Sequence, residues 1–187
     1  LVDNLTVAAT MVGQWLVYDI AATESPPAVV VVLVASNTYN AVKNVFHAVS
    51  RQLGTSTRLV IETVDLPFPV KSTSDVLDQY KSKLASIESA KQPDHRLALA
   101  CVDYVASLPA MKLPVHEIVQ ACRDHGFERV FVDAAHAPGT VEHLDVPAIG
   151  ADFFAANLHK WLFAPTAAAF LYVASAALRA SMHHPVI

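Results

Sequence analysis

The chain has 187 residues, 53% of them hydrophobic and 16% charged, with a net charge of −4. That length builds one compact domain with a sizeable core, and a weak negative charge without basic clusters excludes nucleic acid as a partner. The longest apolar run, residues 28–35, is too short to cross a bilayer, so no membrane partner is expected, and two cysteines are too few for a disulfide framework.

Taken in order, Asp3-Asn4-Leu5-Thr6 opens an amphipathic stretch (Ala8, Met11, Val12, Trp15, Leu16) that reads as a helix capped by Asn4 or Thr6. Such a terminus leaves backbone N–H groups free for an anion, although a plain cap explains the same residues. After the loop Thr23 to Pro27, the β-branched run Val29 to Val34 reads as a central strand. Ser36 to Asn40 follows its carboxyl end, and apolar residues from Ala41 to Leu53 keep helical spacing up to Gly54. Arg58 to Val64 alternates and reads as a further strand, and the prolines of Leu66-Pro67-Phe68-Pro69 stop it. Ser72 to Ile87 carries one apolar stripe and predicts a surface helix. Leu97 to Val102 is a strand ending in Asp103-Tyr104-Val105-Ala106-Ser107. Pro114 to Gly126 is a helix with clear start and stop signals. Strands follow at Arg129 to Val132, Phe153 to Ala156 and Ala168 to Val173, and Ala174 to Met182 leads out as a helix. Strands alternating with helices predict an α/β fold, a mostly parallel sheet flanked by helices. The high apolar content suits a sheet buried on both faces, or a domain that covers apolar surface with a missing partner. Leu1 is not a natural start and Pro185-Val186-Ile187 is not an obvious end, so a fragment is expected.

The stretch richest in chemistry is F-V-D-A-A-H-A-P-G from Phe131, followed by G-A-D-F-F-A-A-N-L-H-K-W-L-F up to Phe163. Asp133 stands at the carboxyl end of one strand, where open α/β sheets bind ligands. Lys160 follows the next strand among Leu158, Trp161, Leu162 and Phe163. A lysine there is either a stem with its charge at the surface or an amine kept partly neutral by desolvation. His136 alone reads as a satisfied core histidine, and Tyr39 alone as packing. Cys101 and Cys122 lie in apolar segments and read as buried thiols of a cytoplasmic protein. The nine histidines show no metal-ligand spacing, and His183-His184 looks incidental. No G-x-S-x-G elbow, P-loop or G-x-G-x-x-G occurs.

V-D-A-A-H-A and N-L-H-K-W resemble the cofactor-binding core of the class V aminotransferases, pyridoxal-phosphate enzymes of the aspartate-aminotransferase fold. Within that family the motifs are most similar to plant-type L-cysteine desulfhydrases and isopenicillin-N-epimerase-like proteins. The resemblance runs over nearly the whole of residues 1–187 and implies the large, pyridoxal-phosphate-binding domain, without an N-terminal segment and a C-terminal small domain. It implies Lys160 as the Schiff-base lysine, Asp133 as partner of the pyridine nitrogen and His136 beside the ring oxygen, where Ser107 also falls. It implies phosphate binding by Leu5, Thr6, Asn157 and His159, and ring stacking by Tyr39. The sequence departs from the family pattern at Leu5 (a small residue is usual), Asn37 (usually His), Tyr104 (usually His), Asn157 (often Ser) and Ala164-Pro165-Thr166-Ala167, where glycine is frequent. The arginine that grips the substrate carboxylate belongs to the small domain, and Arg179 falls in the exit helix. The implied activity is a lyase acting on an amino acid, L-cysteine desulfhydrase-like, releasing sulfide, pyruvate and ammonia. Epimerisation and transamination use the same core. A homodimer is the implied assembly, and no metal is called for. An alternative from a different class is a catalytically silent remnant that serves as an interaction module.

Overall fold

In the computed structural model the protein is described over residues 1–66 and 68–182. The elements run α1 (Leu5–Ala21), β1 (Val29–Ala35), α2 (Asn40–Gln52), β2 (Arg58–Val64), α3 (Thr73–Ala90) and β3 (His95–Asp103). A hairpin of β4 (Val105–Ala106) and β5 (Met111–Lys112) follows, then α4 (Val115–Asp124), β6 (Arg129–Asp133), a 3-10 turn at Pro147–Ile149, β7 (Phe153–Asn157), β8 (Ala169–Val173) and α5 (Ala176–Ala180). The main sheet has the order β2-β1-β3-β6-β7-β8; its strands are parallel except β8, which runs antiparallel to β7.

Strand β1 shows why so apolar a sequence folds this way. Side chains alternate between the faces of a strand. Val31, Leu33 and Ala35 therefore enter one core, with Val76, Tyr80 and Leu84 of α3 and Ile118 of α4. Val30, Val32 and Val34 enter the other, with Val12, Trp15 and Leu16 of α1 and Phe46 of α2. A strand covered on both sides has no polar face to keep, hence a continuous β-branched run. Helices α1 and α2 meet closely at Gly13, where an added Cβ would stand 2.7 Å from Cγ1 of Val45.

The expected elements form, with adjustments. The exit helix is shorter than residues 174–182, because the Ser175 side chain accepts from the Leu178 N–H at 3.0 Å and starts it there. The β4–β5 hairpin follows no apolar periodicity, since two-residue strands are too short to carry one. Pro67 and the His183-His184 pair lie outside the described residues. No helix among the described residues is long and apolar enough to cross a membrane.

Crossing from β1 to β2 goes one way along the sheet and the path through β3, β6 and β7 goes the other, so the strand order reverses beside β1. The carboxyl ends of β1, β3, β6 and β7 line up at this switch point, the usual place for a ligand crevice.

Candidate active site

A cleft of about 340 Å³, counting its open mouth, lies over these strand ends. Its floor carries two carboxyl groups. Asp103 ends β3, Asp133 ends β6, and the two are in register across the ladder. Both are buried, at 3% and 4% exposure. The hydroxyl of Thr38 donates to Asp103 at 2.7 Å and accepts from the Ala35 N–H at 3.1 Å. The N–H of Ala135 donates to Asp133 at 3.0 Å. Burial is the largest influence on both acids and disfavours the charged form. It lifts Asp103 to about 6 against the Thr38 bond and Lys43, and lifts Asp133 to about 7, with the neighbouring Asp103 charge adding to the rise. The Ala135 bond and Lys160 pull Asp133 the other way.

One wall is the start of α1. Asn4 caps the helix by accepting from Val7 at 3.0 Å. Asn157, the last residue of β7, accepts from the Leu5 N–H at 2.8 Å and so ties the helix terminus to the sheet. The Leu5 donor is therefore spent inside the protein. Thr6, next along, keeps one of the helix-opening N–H groups that have no intrahelical acceptor, and both residues line the cleft.

The opposite wall is the turn after β7. It is closed by Leu158 N–H to Ala168 O at 2.8 Å and Ala164 N–H to Leu158 O at 3.2 Å. Phe163 and Ala167 adopt φ of +54° and +66°, the left-handed region that favours glycine. The glycine expected after the lysine from the resemblance is absent, and the chain makes the turn with side chains that strain it. Lys160 projects from this turn, with its Nζ 3.0 Å from Nε2 of His136 and 6.0 Å from the centre of the Tyr39 ring. Burial pushes the Lys160 amine below its usual value, while Asp133 opposes the shift. Burial lowers His136 as well, and the Lys160 charge adds to it. On the far side of that imidazole, the Trp161 indole N–H donates to Nδ1 at 3.1 Å. Gly139, with φ of +85°, allows the loop after β6 to approach this turn; a Cβ there would meet the Trp161 carbonyl oxygen at 2.7 Å.

All the expected site residues except His159 line the cleft: Leu5, Thr6, Tyr39, Ser107, Asp133, His136, Asn157 and Lys160. His159 instead directs Nδ1 at the Ala168 carbonyl, 3.0 Å away, because it helps close the lysine turn. Its neighbour in sequence reaches the cleft and it does not. Tyr104 also stays out of the cleft, in the core shared with α3 and α4. Asn37, two residues before Tyr39, keeps both polar side-chain atoms buried without a partner. Three contributors had no place among the expected residues: Thr38, Asp103 and Trp161. Asp103 had a visible signal, an acid closing a buried strand as Asp133 does. Trp161 had none beyond adjacency to Lys160. Cys101 and Cys122 are buried, and burial raises both thiols, Cys122 to about 12. Among the described residues, no group of three or more His, Cys, Asp or Glu side chains is placed to hold a metal ion.

An amine whose proton affinity burial lowers and a buried acid sharing one cleft suit chemistry on a ligand that carries both a carbonyl and a basic nitrogen. Comparison with known proteins agrees in kind. The Aminotransferase class-V profile matches residues 32–186. An L-cysteine desulfhydrase of Arabidopsis thaliana is 37% identical over 189 residues, covering all of this chain and 39% of that protein. An isopenicillin N epimerase of Streptomyces clavuligerus is 54% identical over 43 residues, 23% of this chain and 11% of its own length. Among solved structures, the cystine C–S lyase C-DES in complex with its reaction product cysteine persulfide superposes with a TM-score of 0.69 at 18% identity, over 97% of this chain and 42% of that one. That likeness concerns the fold. The chain spans about two fifths of the length of the curated relatives it matches. With the profile covering most of its residues, the chain belongs to the class-V aminotransferase family.

Proposed function

We propose that residues 1–187 form the pyridoxal-phosphate-binding large domain of a longer enzyme acting on an amino acid, a C–S lyase of the L-cysteine desulfhydrase kind. The observation that carries this reading is the meeting, in one cleft, of the partly desolvated Lys160 amine with the buried Asp133 carboxyl. The residues fit the cofactor in chemistry: an amine for an aldehyde, an acid for a pyridine nitrogen, an imidazole for a ring oxygen and a helix terminus for a phosphate. Pyridoxal phosphate, when bound, supplies an aldehyde that joins to primary amines and a ring that draws electrons from the substrate's α-carbon.

Lys160 would hold the aldehyde and, once released by the incoming amino acid, take the α-proton on Nζ. A lowered amine suits both tasks, because each needs a free lone pair. Asp133 would hold a proton at the pyridine nitrogen. Beside a cationic ring its charged form gains a partner, so the value raised by burial in the free protein falls on binding. His136 would donate to the ring oxygen, with Ser107 near it. Tyr39 would cover one face of the ring, and Thr6 with Asn157 would meet the phosphate. His159 would serve the phosphate indirectly, by closing the turn that carries Lys160. Lys160 is the one basic side chain of Lys or Arg type among the residues lining the cleft. A grip on the substrate carboxylate would therefore come from the rest of the longer protein or from a second subunit of a homodimer. We assign the protein to the cytoplasm, a reducing compartment, on its two buried free thiols.

The test is to add pyridoxal phosphate, record the visible spectrum, reduce with borohydride and map the labelled peptide by mass. The label is expected on Lys160 and is expected to vanish in Lys160→Ala. A folded protein with no label, or with the label on another lysine, would overturn the reading and leave an interaction module as the alternative. The longer protein is expected to release sulfide from L-cysteine.

A further inference from the structure

His136 stands between two nitrogens. Its Nδ1 lies 3.1 Å from the Trp161 indole nitrogen, and its Nε2 lies 3.0 Å from the Lys160 amine. Proton counting over these two contacts leaves a single arrangement. An indole N–H donates and cannot accept, so Nδ1 must present its lone pair. A neutral imidazole has one ring proton, and that proton is then on Nε2. The Nε2–H in turn needs an acceptor in Lys160. An ammonium group has three donors and no lone pair, so it cannot take that role, whereas a neutral amine can. The other protonation states fail at one contact or both. With its proton on Nδ1, the ring would set two N–H groups against each other at Trp161. As an imidazolium it would do so at Trp161 and at an ammonium Lys160 as well.

We propose that Trp161, by occupying Nδ1 of His136, fixes the ring in its Nε2–H form and thereby holds Lys160 as a neutral amine. Trp161 is then a positioning residue, acting on the nucleophile through the imidazole without touching it. Burial works in the same direction at both His136 and Lys160. The groups facing this relay are Asp133, which favours the charged amine, Asp103 behind it, and the Tyr39 ring on the open side. The relay also gives a reason for the close approach at Gly139. The two turns must come together for the indole of one to reach the imidazole of the other. This inference gives a mechanism to the role proposed above for Lys160, and it rests on that reading for its catalytic meaning only.

Two cofactor-free measurements test it. Long-range proton–nitrogen spectra of the protein labelled with 15N-histidine are expected to show His136 with Nε2 protonated and Nδ1 bare at neutral pH. In parallel, the pH profile of Lys160 modification by an amine-reactive reagent is read by peptide mass spectrometry in the parent protein and in Trp161→Phe. The variant keeps an aromatic ring at a half-exposed position and removes only the donor. Losing one hydrogen bond of ordinary strength is expected to move the profile to higher pH and to slow modification at neutral pH by about tenfold. A change in access alone would scale the rate without displacing the profile. His136 found as the Nδ1–H form or as imidazolium in the parent protein would overturn the proposal, and so would an undisplaced profile in Trp161→Phe. A protein that shows the tautomer and the displaced profile but never takes pyridoxal phosphate would sink the functional reading and leave this one standing. A label on Lys160 with an undisplaced profile would do the reverse.

Discussion

The turns that follow β6 and β7 leave neighbouring strands at the same edge of the sheet, yet different forces hold them. After β6 the chain is buried and hydrogen-bonded at each step: Tyr104 N–H to Asp133 O at 2.8 Å, Ala134 N–H to Ala155 O at 2.8 Å and Ala135 N–H to the Asp133 carboxylate at 3.0 Å. After β7 the chain exposes Trp161, Leu162 and Phe163, at 49%, 53% and 84%, and passes through two left-handed residues that are not glycine. The acid is placed by strand register. The amine is placed by what other loops bring to it: Gly139 beneath Trp161, His136 against Nζ, and Asn157 clamped to the start of α1. A site built this way has one rigid half and one half that depends on long-range packing. Substitutions should separate the two.

The largest effect is expected at Gly139, where the halves touch. Gly139→Ala adds a Cβ 2.7 Å from a backbone oxygen and puts an L side chain at φ of +85°. Urea denaturation should report a loss of about 2–4 kcal/mol, from overpacking and a left-handed alanine together. Borohydride labelling of Lys160 should fall with it. A loss below about 0.5 kcal/mol, at the level of an ordinary surface change, would mean that the two turns do not depend on each other. Next comes Asn157→Ala, which leaves the buried Leu5 N–H without its acceptor. An unpaired buried donor costs about 1–3 kcal/mol, and faster hydrogen exchange at the first turn of α1 should accompany the loss.

The rigid half is tested by pH. The folded Asp133 carboxyl sits at about 7 against an ordinary 3.8, chiefly through burial. Below pH 4 both folded and unfolded chains hold its proton. Between about 4 and 7 the unfolded chain has released the proton that the folded chain keeps, so stability drains away as pH rises through that window. Asp133→Asn should flatten the decline by up to about 1.4 kcal/mol per pH unit, the slope of one proton. Equal slopes in the two proteins would remove the case for a buried, protonated acid. The smallest change is expected at Ala167→Gly. Relief of the left-handed alanine and the added freedom of the unfolded chain nearly offset, leaving a net gain between zero and about 1 kcal/mol. A clear destabilisation would show that Ala167 contributes packing that outweighs its strain. The opposite signs at Gly139 and Ala167 would then measure how unevenly glycine is distributed between the two turns.

Local pattern alone carried much of this architecture. The alternating elements, the β-branched run at Val29 to Val34, the caps at Asn4 and Pro114 and the glycine stops at Gly54 and Gly126 are legible because each depends on neighbours within a turn or two of chain. The same holds for the chemistry. An acid and a lysine at the ends of apolar strands, in motifs resembling a known family, point to the cleft that Leu5, Tyr39, Ser107, Asp133, His136, Asn157 and Lys160 line.

Other features came only with the folded chain. His159 and Trp161 flank Lys160, and nothing in the string N-L-H-K-W says that the first turns to the Ala168 carbonyl and the second to His136. Asp103 and Asp133 are thirty residues apart, and only the β3–β6 register makes them a buried pair in which the Asp103 charge adds to the rise of the Asp133 carboxyl. Gly139 looks like a plain turn glycine until the Trp161 backbone arrives above it. Sequence determined the elements and the identity of the reactive groups, because propensity, capping and amphipathic period act over a few residues. Tertiary structure decided which of those groups face one another and in which protonation state. Desolvation and hydrogen-bond partnership depend on atoms brought together from distant parts of the chain.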